Sequence, residues 1–367
     1  MKTLNYNFKQ LKIEYDISLL APLENILFID IETTGLSSKT ASIYIIGACY
    51  YKGNAWNGIQ WFAEKPEEEI NILNAFFTFA SDYSVLIHFN GNQFDLPFIL
   101  GRCEVLNLSY NFDNFDGIDI YKRVALCKHF LQLPNCKQKS IEKFLHLDRE
   151  DKYSGGELIQ VYKNYVKSGN SEQEELLLLH NRDDLKGMLE ILPILSYCDL
   201  FNKPVRATKV QSNYYRDLNG KKQQELIIRI RLTSSVPVPL TYHANDCYVT
   251  ADGNHAALRI PVYTEELKYF YENYKEYYYL PLEDVAMHKS VASFVDKEHR
   301  VPATAATCYT RKYSSYLPMW DYVLKPFFKR EYKSPLLFFE LTDEFKTDRE
   351  AFSKYASHIL EMLGKSH

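Results

Sequence analysis

The stretch "NILFIDIETTG", residues 25 to 35, constrains this chain most. Its near-continuous apolar run "NILFID" reads as a buried central strand, which requires other elements packed on its faces. The strand ends in two carboxylates, Asp30 and Glu32, separated by one isoleucine. Side chains two apart in an extended strand share a face, so both acids address one spot. Like charges held that close need a cation or protons between them. Thr33, Thr34 and Gly35 then turn the chain away from the strand.

The pattern that follows gives the strand its setting. "SIYIIGACYY" (42 to 51) and "GIQWFAE" (58 to 64) read as two further strands around the Gly/Asn-rich turn "KGNAWNG", a three-strand meander. Ile70, Leu73, Phe76, Phe77 and Ala80 recur at helical spacing. "SVLIHF" (84 to 89) is the next strand, "FDLPFILGRCEVL" a helix behind it, "GIDI" (117 to 120) a short strand, and the pattern from Ser140 to about Cys198 is helical. The order β-β-β-α-β-α-β-α predicts an α/β domain over residues 25–200, a mixed five-stranded sheet with flanking helices, after a lead-in over 1–24.

At 367 residues and 46% hydrophobic content the chain has material for a second core. "FNKPVRATK" (201 to 209) reads as a linker, and residues 210–367 as a smaller α+β domain. Its strand-like runs are "ELIIRIRLTS" and "CYVTADGNHAALRIPVY", the second with an Asp-Gly turn signal. The tyrosine-dense "TEELKYFYENYKEYYYLPLEDV" reads as helical, with a last helix near Asp348 to Leu363. A net charge of -4 argues against a uniformly basic nucleic-acid binder, though it permits a local patch. No run reaches the apolar length of a membrane span, and "MKTLNYNFKQ" lacks a signal peptide's hydrophobic region. Seven scattered cysteines without a C-x-x-C pair argue against a zinc site or disulfide framework and make a reducing cytoplasm the expected location.

Two further motifs carry chemistry. In "HFNGNQFDLPF" (88 to 98) a strand ends and Asp95 opens a helix, with Pro97 in its first turn, where proline costs little. In "LLLLHNRDDLKGMLEIL" (176 to 192), His180 and Asp184 are four apart and share a helix face. Asp30, Glu32, Asp95 and Asp184 are thus expected to converge from a strand end and two helices. An oxygen-rich site of this kind suits two hard cations such as Mg²⁺ or Mn²⁺. Such a pair, roughly 3.5–4 Å apart, clamps the attacking water and leaving oxygen of a phosphodiester. Singly, each signal has a bland reading: a solvated strand end, a helix-start acid favoured by the dipole, a satisfied buried histidine, a solvated helix face. Their order and placement at one end of the central strands outweigh those readings.

"DIETTG", N-x-x-x-F-D-x-P (Asn90 to Pro97) and H-N-x-x-D (His180 to Asp184) resemble the three exonuclease motifs of the DEDD superfamily, which has a ribonuclease H-like fold. The closest branch is the bacterial YprB-like family, related to the proofreading domains of family B DNA polymerases. The resemblance covers roughly Asn25 to Cys198 and includes "SGGELIQVYKNYV" (154 to 166). It implies Asp30, Glu32, Asp95 and Asp184 as ligands of two divalent cations, and 3'-to-5' removal of nucleotides from single-stranded DNA or RNA ends. In histidine-type members the base precedes the last aspartate by five positions, and in tyrosine-type members by four. His180 stands at the tyrosine's spacing and is the candidate to orient or deprotonate the attacking water, work suited to a side chain that ordinarily titrates at about 6.5.

Other candidates keep two readings each. Asn90 positions substrate or caps the helix at Phe94; Phe94 stacks a terminal base or, the preferred reading, anchors the helix in the core. Thr33, Thr34 and Gly35 hydrogen-bond the terminal nucleotide through their backbone, as the resemblance implies. Asp119 is an outer-shell acid or an ordinary strand end, and Asn181 contacts the scissile phosphate or a neighbouring helix. From His288 to Lys333, basic residues interspersed with tyrosines are either a platform for single-stranded nucleic acid or an ordinary surface. Two further functional readings are a nucleic-acid-binding module without turnover and a protein-assembly factor. Intact acids at all four positions oppose the former.

Overall fold

Strand β1 (Lys2–Asn7) lies in the stretch expected as a lead-in. The computed structural model describes residues 1–8, 11–148, 153, 155–217 and 219–365, so Ser154 lies outside the described residues. The chain divides into two units, Met1–Cys198 with Ser234–Val238, and Asp199–Thr233 with Pro239–His367.

In the first unit, β2 (Ile26–Thr33), β3 (Ile43–Lys52) and β4 (Ala55–Phe62) form the expected meander, followed by α1 (Glu69–Ala80), β5 (Val85–His88), α2 (Asp95–Val105) and β6 (Asp116–Asp119). Helices α3 (Ile120–Ala125), α4 (Lys128–Leu131), α5 (Gln138–Phe144), α6 (Gly155–Ser168) and α7 (Ser171–Glu190) complete its frame. The strand order is β1-β4-β3-β2-β5-β6. β5 runs parallel to β2, and β6 parallel to β5. The sheet therefore has six strands where five were expected. β1 pairs antiparallel with β4 from Lys2 opposite Phe62 to Asn7 opposite Asn57. Its half-buried, half-exposed alternation carries only Leu4 and Tyr6 as apolar residues, too little hydrophobic signal to read as a strand.

Both faces of the sheet are covered, which explains the unbroken apolar run of β2. Leu27, Ile29 and Ile31 pack with Ile72, Phe76 and Ile99 of α1 and α2. Tyr44, Ile45 and Phe62 pack on the other side with Leu158, Tyr162 and Leu177 of α6 and α7. Alternation along β2 turns Asp30 and Glu32 toward the α7 side.

Helix α8 (Leu195–Asn202) and strand β7 (Arg206–Arg216) leave only residues 203–205 between them, so the expected linker over 201–209 is mostly regular structure. β8 (Lys222–Ala244) and β9 (Cys247–Phe270) follow. Asn245 and Asp246, both at positive φ, stand between them. The Asp252-Gly253 signal instead falls inside β9, with Gly253 alone taking the positive φ. Then come β10 (Tyr277–Leu280), β11 (Val285–His288), α9 (Lys289–Ala292), β12 (Val301–Pro302), β13 (Tyr309–Met319), β14 (Phe327–Phe328), β15 (Leu337–Glu340), α10 (Asp343–Thr347) and α11 (Arg349–Lys365). They form a six-stranded sheet, β14-β15-β13-β9-β8-β7, and a three-stranded one, β11-β10-β12. α11 buries Phe352, Tyr355, Ile359 and Leu363 along one stripe.

The tyrosine-dense stretch expected as a helix is the end of β9, a short 3-10 turn and β10. Its apolar spacing mimics a helical face, but tyrosine favours a pleated surface and the pairing of β13 with β9 decides the conformation. Part of the basic surface is neutralised locally. Arg311 pairs with Glu266, Lys312 with Glu340 and Arg330 with Glu265. Lys289 and Arg300 lie over the Tyr278 ring at 5.5 and 5.0 Å. No described helix is long and apolar enough to cross a membrane.

Candidate metal centre

The site forms where β2 ends. Between Glu32 and Thr33 the register against β3 shifts: Glu32 faces Ile45 and Thr33 faces Ile43. Tyr44 is the extra residue, and a bulge of this kind re-aims a side chain. Its hydroxyl points at Glu32 Oε2 from 3.5 Å, while its ring stacks on Tyr162 at 4.2 Å. Asp95, the buried first residue of α2, accepts the Ile31 backbone N–H at 3.3 Å, which ties the start of α2 to the C-terminal end of β2.

Helix α7 supplies the opposite wall. His180 Nε2 lies 3.2 Å from Asp184 Oδ2, one turn on, and 3.5 Å from Glu32 Oε1. Ligand-capable atoms of Glu32, His180 and Asp184 all fall within 4.8 Å of one another. Asn181 donates from Nδ2 to Asp30 Oδ2 at 2.8 Å. Burial pushes the Asp30 carboxyl well above the usual range, and the charges of Asp184, Asp95 and Glu32 add to it, against the opposing bond from Asn181. Asp95 is pushed up to about 7, again chiefly by burial, with backbone hydrogen bonds opposing. Glu32, His180 and Asp184 therefore cluster at one strand end, with Asp30 and Asp95 within reach of the charge of Asp184.

Residues 27–196 match the RNase_H_2 family model, described as RNase_H superfamily. This stretch is similar to ribonuclease H-like domains. No curated protein matches the chain. Among solved structures, the family B DNA polymerase from the hyperthermophilic archaeon Pyrobaculum calidifontis is similar at 14% identity and a TM-score of 0.40, over 49% of this chain and 26% of that one. The chain thus spans about a quarter of that polymerase's length.

Within the ribonuclease H-like domain the remaining candidates separate by what they touch. Asn181 is fully buried, and its amide is committed at both ends inside the protein, which corrects the expectation of a contact to the scissile phosphate. Thr33 donates its hydroxyl to the Gly35 carbonyl at 2.8 Å. Thr34 gives its backbone N–H to Ser42 O and accepts the Ser42 N–H on its hydroxyl, so that backbone N–H is taken by the loop rather than offered to a nucleotide. Gly35 stays partly exposed. Phe94 packs against the core and lies 5.4 Å from the Phe98 ring, the anchoring reading. Phe94 is the N-cap of α2 without a side-chain cap bond, so Asn90 does not cap it; Asn90 has φ of 61° and gives its backbone N–H to Asp119 Oδ1 at 2.9 Å.

Asp119 stands behind the site, while His88 and Gln60 left little trace in the sequence. Asp119 accepts backbone N–H groups of Asn90, Asn92 and Lys122, bracing the turn that leads to Asp95. His88, fully buried, accepts the Gly91 N–H on Nδ1, and burial lowers its pKa, which keeps it neutral. Gln60, a buried polar residue between Ile59 and Trp61, bonds Asn181. A lone amide in an apolar strand was the one signal available for it.

Proposed function

We propose that the ribonuclease H-like domain is a two-metal-ion-dependent phosphodiesterase, a 3'-to-5' exonuclease acting on single-stranded DNA or RNA ends. The observation that supports it is the cluster of Glu32, His180 and Asp184 at the end of β2, with the buried Asp30 and Asp95 feeling the charge of Asp184. The residues fit divalent cations. Carboxylates packed without a counter-charge resist ionisation, and oxygen donors suit Mg²⁺ or Mn²⁺.

Asp30, Glu32, Asp95 and Asp184 are the proposed holders of the ions. When bound, the ions supply Lewis acidity toward the phosphodiester and the attacking water. His180 orients that water and takes its proton at Nε2. Nε2 lies 3.5 Å from Glu32 Oε1 and 3.2 Å from Asp184 Oδ2, which fixes the direction in which the ring faces. The buried Asp95 side chain keeps its place through the Ile31 N–H.

The test is a time course on 5'-labelled single-stranded RNA and DNA oligonucleotides of matched sequence, with Mn²⁺ or Mg²⁺ and with chelator, beside Asp30→Ala. The expected result is a metal-dependent ladder shortening from the 3' end, absent in the variant, with the preferred sugar read from the two substrates. Binding without cleavage of either substrate would overturn the enzyme in favour of a binding module.

A further inference from the structure

The polar chain behind Asp30 has a direction that can be read without seeing hydrogens. Gln60 on β4 places Nε2 at 2.9 Å from the Leu178 carbonyl oxygen, which can only accept. That carbonyl decides which end of the Gln60 amide is nitrogen, since the reverse would set two acceptors together. The same Nε2 lies 2.8 Å from Asn181, which must therefore present its own oxygen, Oδ1, to Gln60. The nitrogen of Asn181 is left facing Asp30, 2.8 Å from Oδ2 and 3.4 Å from the backbone oxygen. Gln60 and Asn181 are 2% and 0% exposed, so water does not compete for these bonds.

The geometry points to Gln60 and Asn181 as positioning residues: a two-amide relay, set by the Leu178 carbonyl, that holds one oxygen of Asp30 and leaves the other for a divalent cation. This rests on the metal-dependent reading of the site and adds how one ligand is aimed. The relay joins three elements, β4, α7 and β2. It sets the registry of the helix that carries His180 and Asp184 against the strand that carries Asp30 and Glu32. Gly47 on β3 is part of the same fit, because a Cβ there would stand 2.1 Å from Asn181 Oδ1. Asn181 acts through Asp30, and Gln60 through Asn181.

Mn²⁺ binding to the full chain, followed by the electron paramagnetic resonance of free Mn²⁺, tests the relay without reference to cleavage. Asn181→Leu removes the donor at similar volume and is expected to weaken Mn²⁺ binding about 10–100-fold, the usual effect of losing a partner that orients a ligand. Gln60→Met leaves Asn181 in place but free to turn its oxygen toward Asp30, and is expected to weaken binding in the same direction by less. Leu177→Ala, a fully buried position on the same helix, is the control for general damage. It is expected to lower thermal stability and keep the wild-type affinity. Wild-type affinity in Gln60→Met and in a folded Asn181→Leu, or an equal loss in Leu177→Ala, would overturn the relay while leaving the metal site standing. A wild-type chain that binds no Mn²⁺ would overturn the metal-dependent reading, and the relay with it. Should Asn181→Leu fail to fold, Gln60→Met decides alone.

Discussion

Arg102 on α2 grips Glu69 on α1 with two parallel bonds, Nε to Oε1 at 2.8 Å and Nη2 to Oε2 at 2.7 Å, and both side chains are buried. Glu69 Oε1 also accepts the Ile43 N–H, and Arg102 Nη1 donates to the Ser38 carbonyl. One ion pair thus pins the loop that leaves Thr33, the start of β3 and both helices on that face.

Removing one partner strands the other charge. Arg102→Met should destabilise the protein by about 3–5 kcal/mol, the usual cost of breaking a buried pair. Chemical denaturation of the metal-free chain measures it. A loss within the range of surface substitutions would mean that the loop is held elsewhere.

The acid cluster makes the metal-free protein sensitive to pH. The folded values of Asp30 and Asp95 lie above the ordinary aspartate value of 3.8, with Asp95 at about 7. The folded state then holds more protons than the unfolded one across that window, so the stability these groups contribute at acid pH is lost as pH rises through their folded values. Asp95→Asn removes the charge of a group that titrates at about 7 and should raise the metal-free melting temperature more at pH 8 than at pH 5. Mn²⁺ should likewise stabilise the wild type more at pH 8, since it competes with protons for the same oxygens. Melting curves at both pH values, with and without metal, check both effects.

Asp30→Ala and Asp184→Ala should each abolish cleavage of single-stranded ends while leaving far-ultraviolet circular dichroism unchanged. Full activity in either variant would remove that acid from the catalytic assignment.

His180→Ala should cut the rate by roughly 10²–10⁴-fold, as expected for loss of a general base. Single-turnover cleavage at saturating Mn²⁺ isolates the effect. A loss of only a few fold would reduce the histidine to a support for Glu32 and Asp184.

Gly47→Ala should be destabilising by about 1–3 kcal/mol. The added methyl would lie 2.1 Å from Asn181 Oδ1 and 2.7 Å from Leu185 Cδ1, so α7 must move outward. Thermal unfolding beside a conservative surface substitution measures the difference.

The residues whose position could be read from the sequence stand where two patterns meet. Asp30 and Glu32 end an apolar strand, Asp95 opens a helix, and His180 and Asp184 share a face of a long leucine-rich helix. Those placements need only the periods of strand and helix. Gln60 and the Glu69–Arg102 pair depend on which elements come together in space, and a single buried amide or ion pair leaves no period behind. The C-terminal stretch around Tyr269 to Tyr279 was misjudged for a related reason. Its spacing satisfied a helix, while its pairing partner, β13, lies some forty residues further along the chain. Strand β1 was missed because half of its residues face outward and are polar.

That strand has a practical side. β1 covers β4 along six paired positions, and the match to the ribonuclease H-like family begins only at residue 27. A fragment cut at that boundary would present β4 as a bare edge, its N–H and C=O groups free to recruit a strand from a neighbouring molecule. The domain as the family pattern delimits it is therefore prone to self-association, and the short N-terminal ribbon serves the sheet as a guard against aggregation.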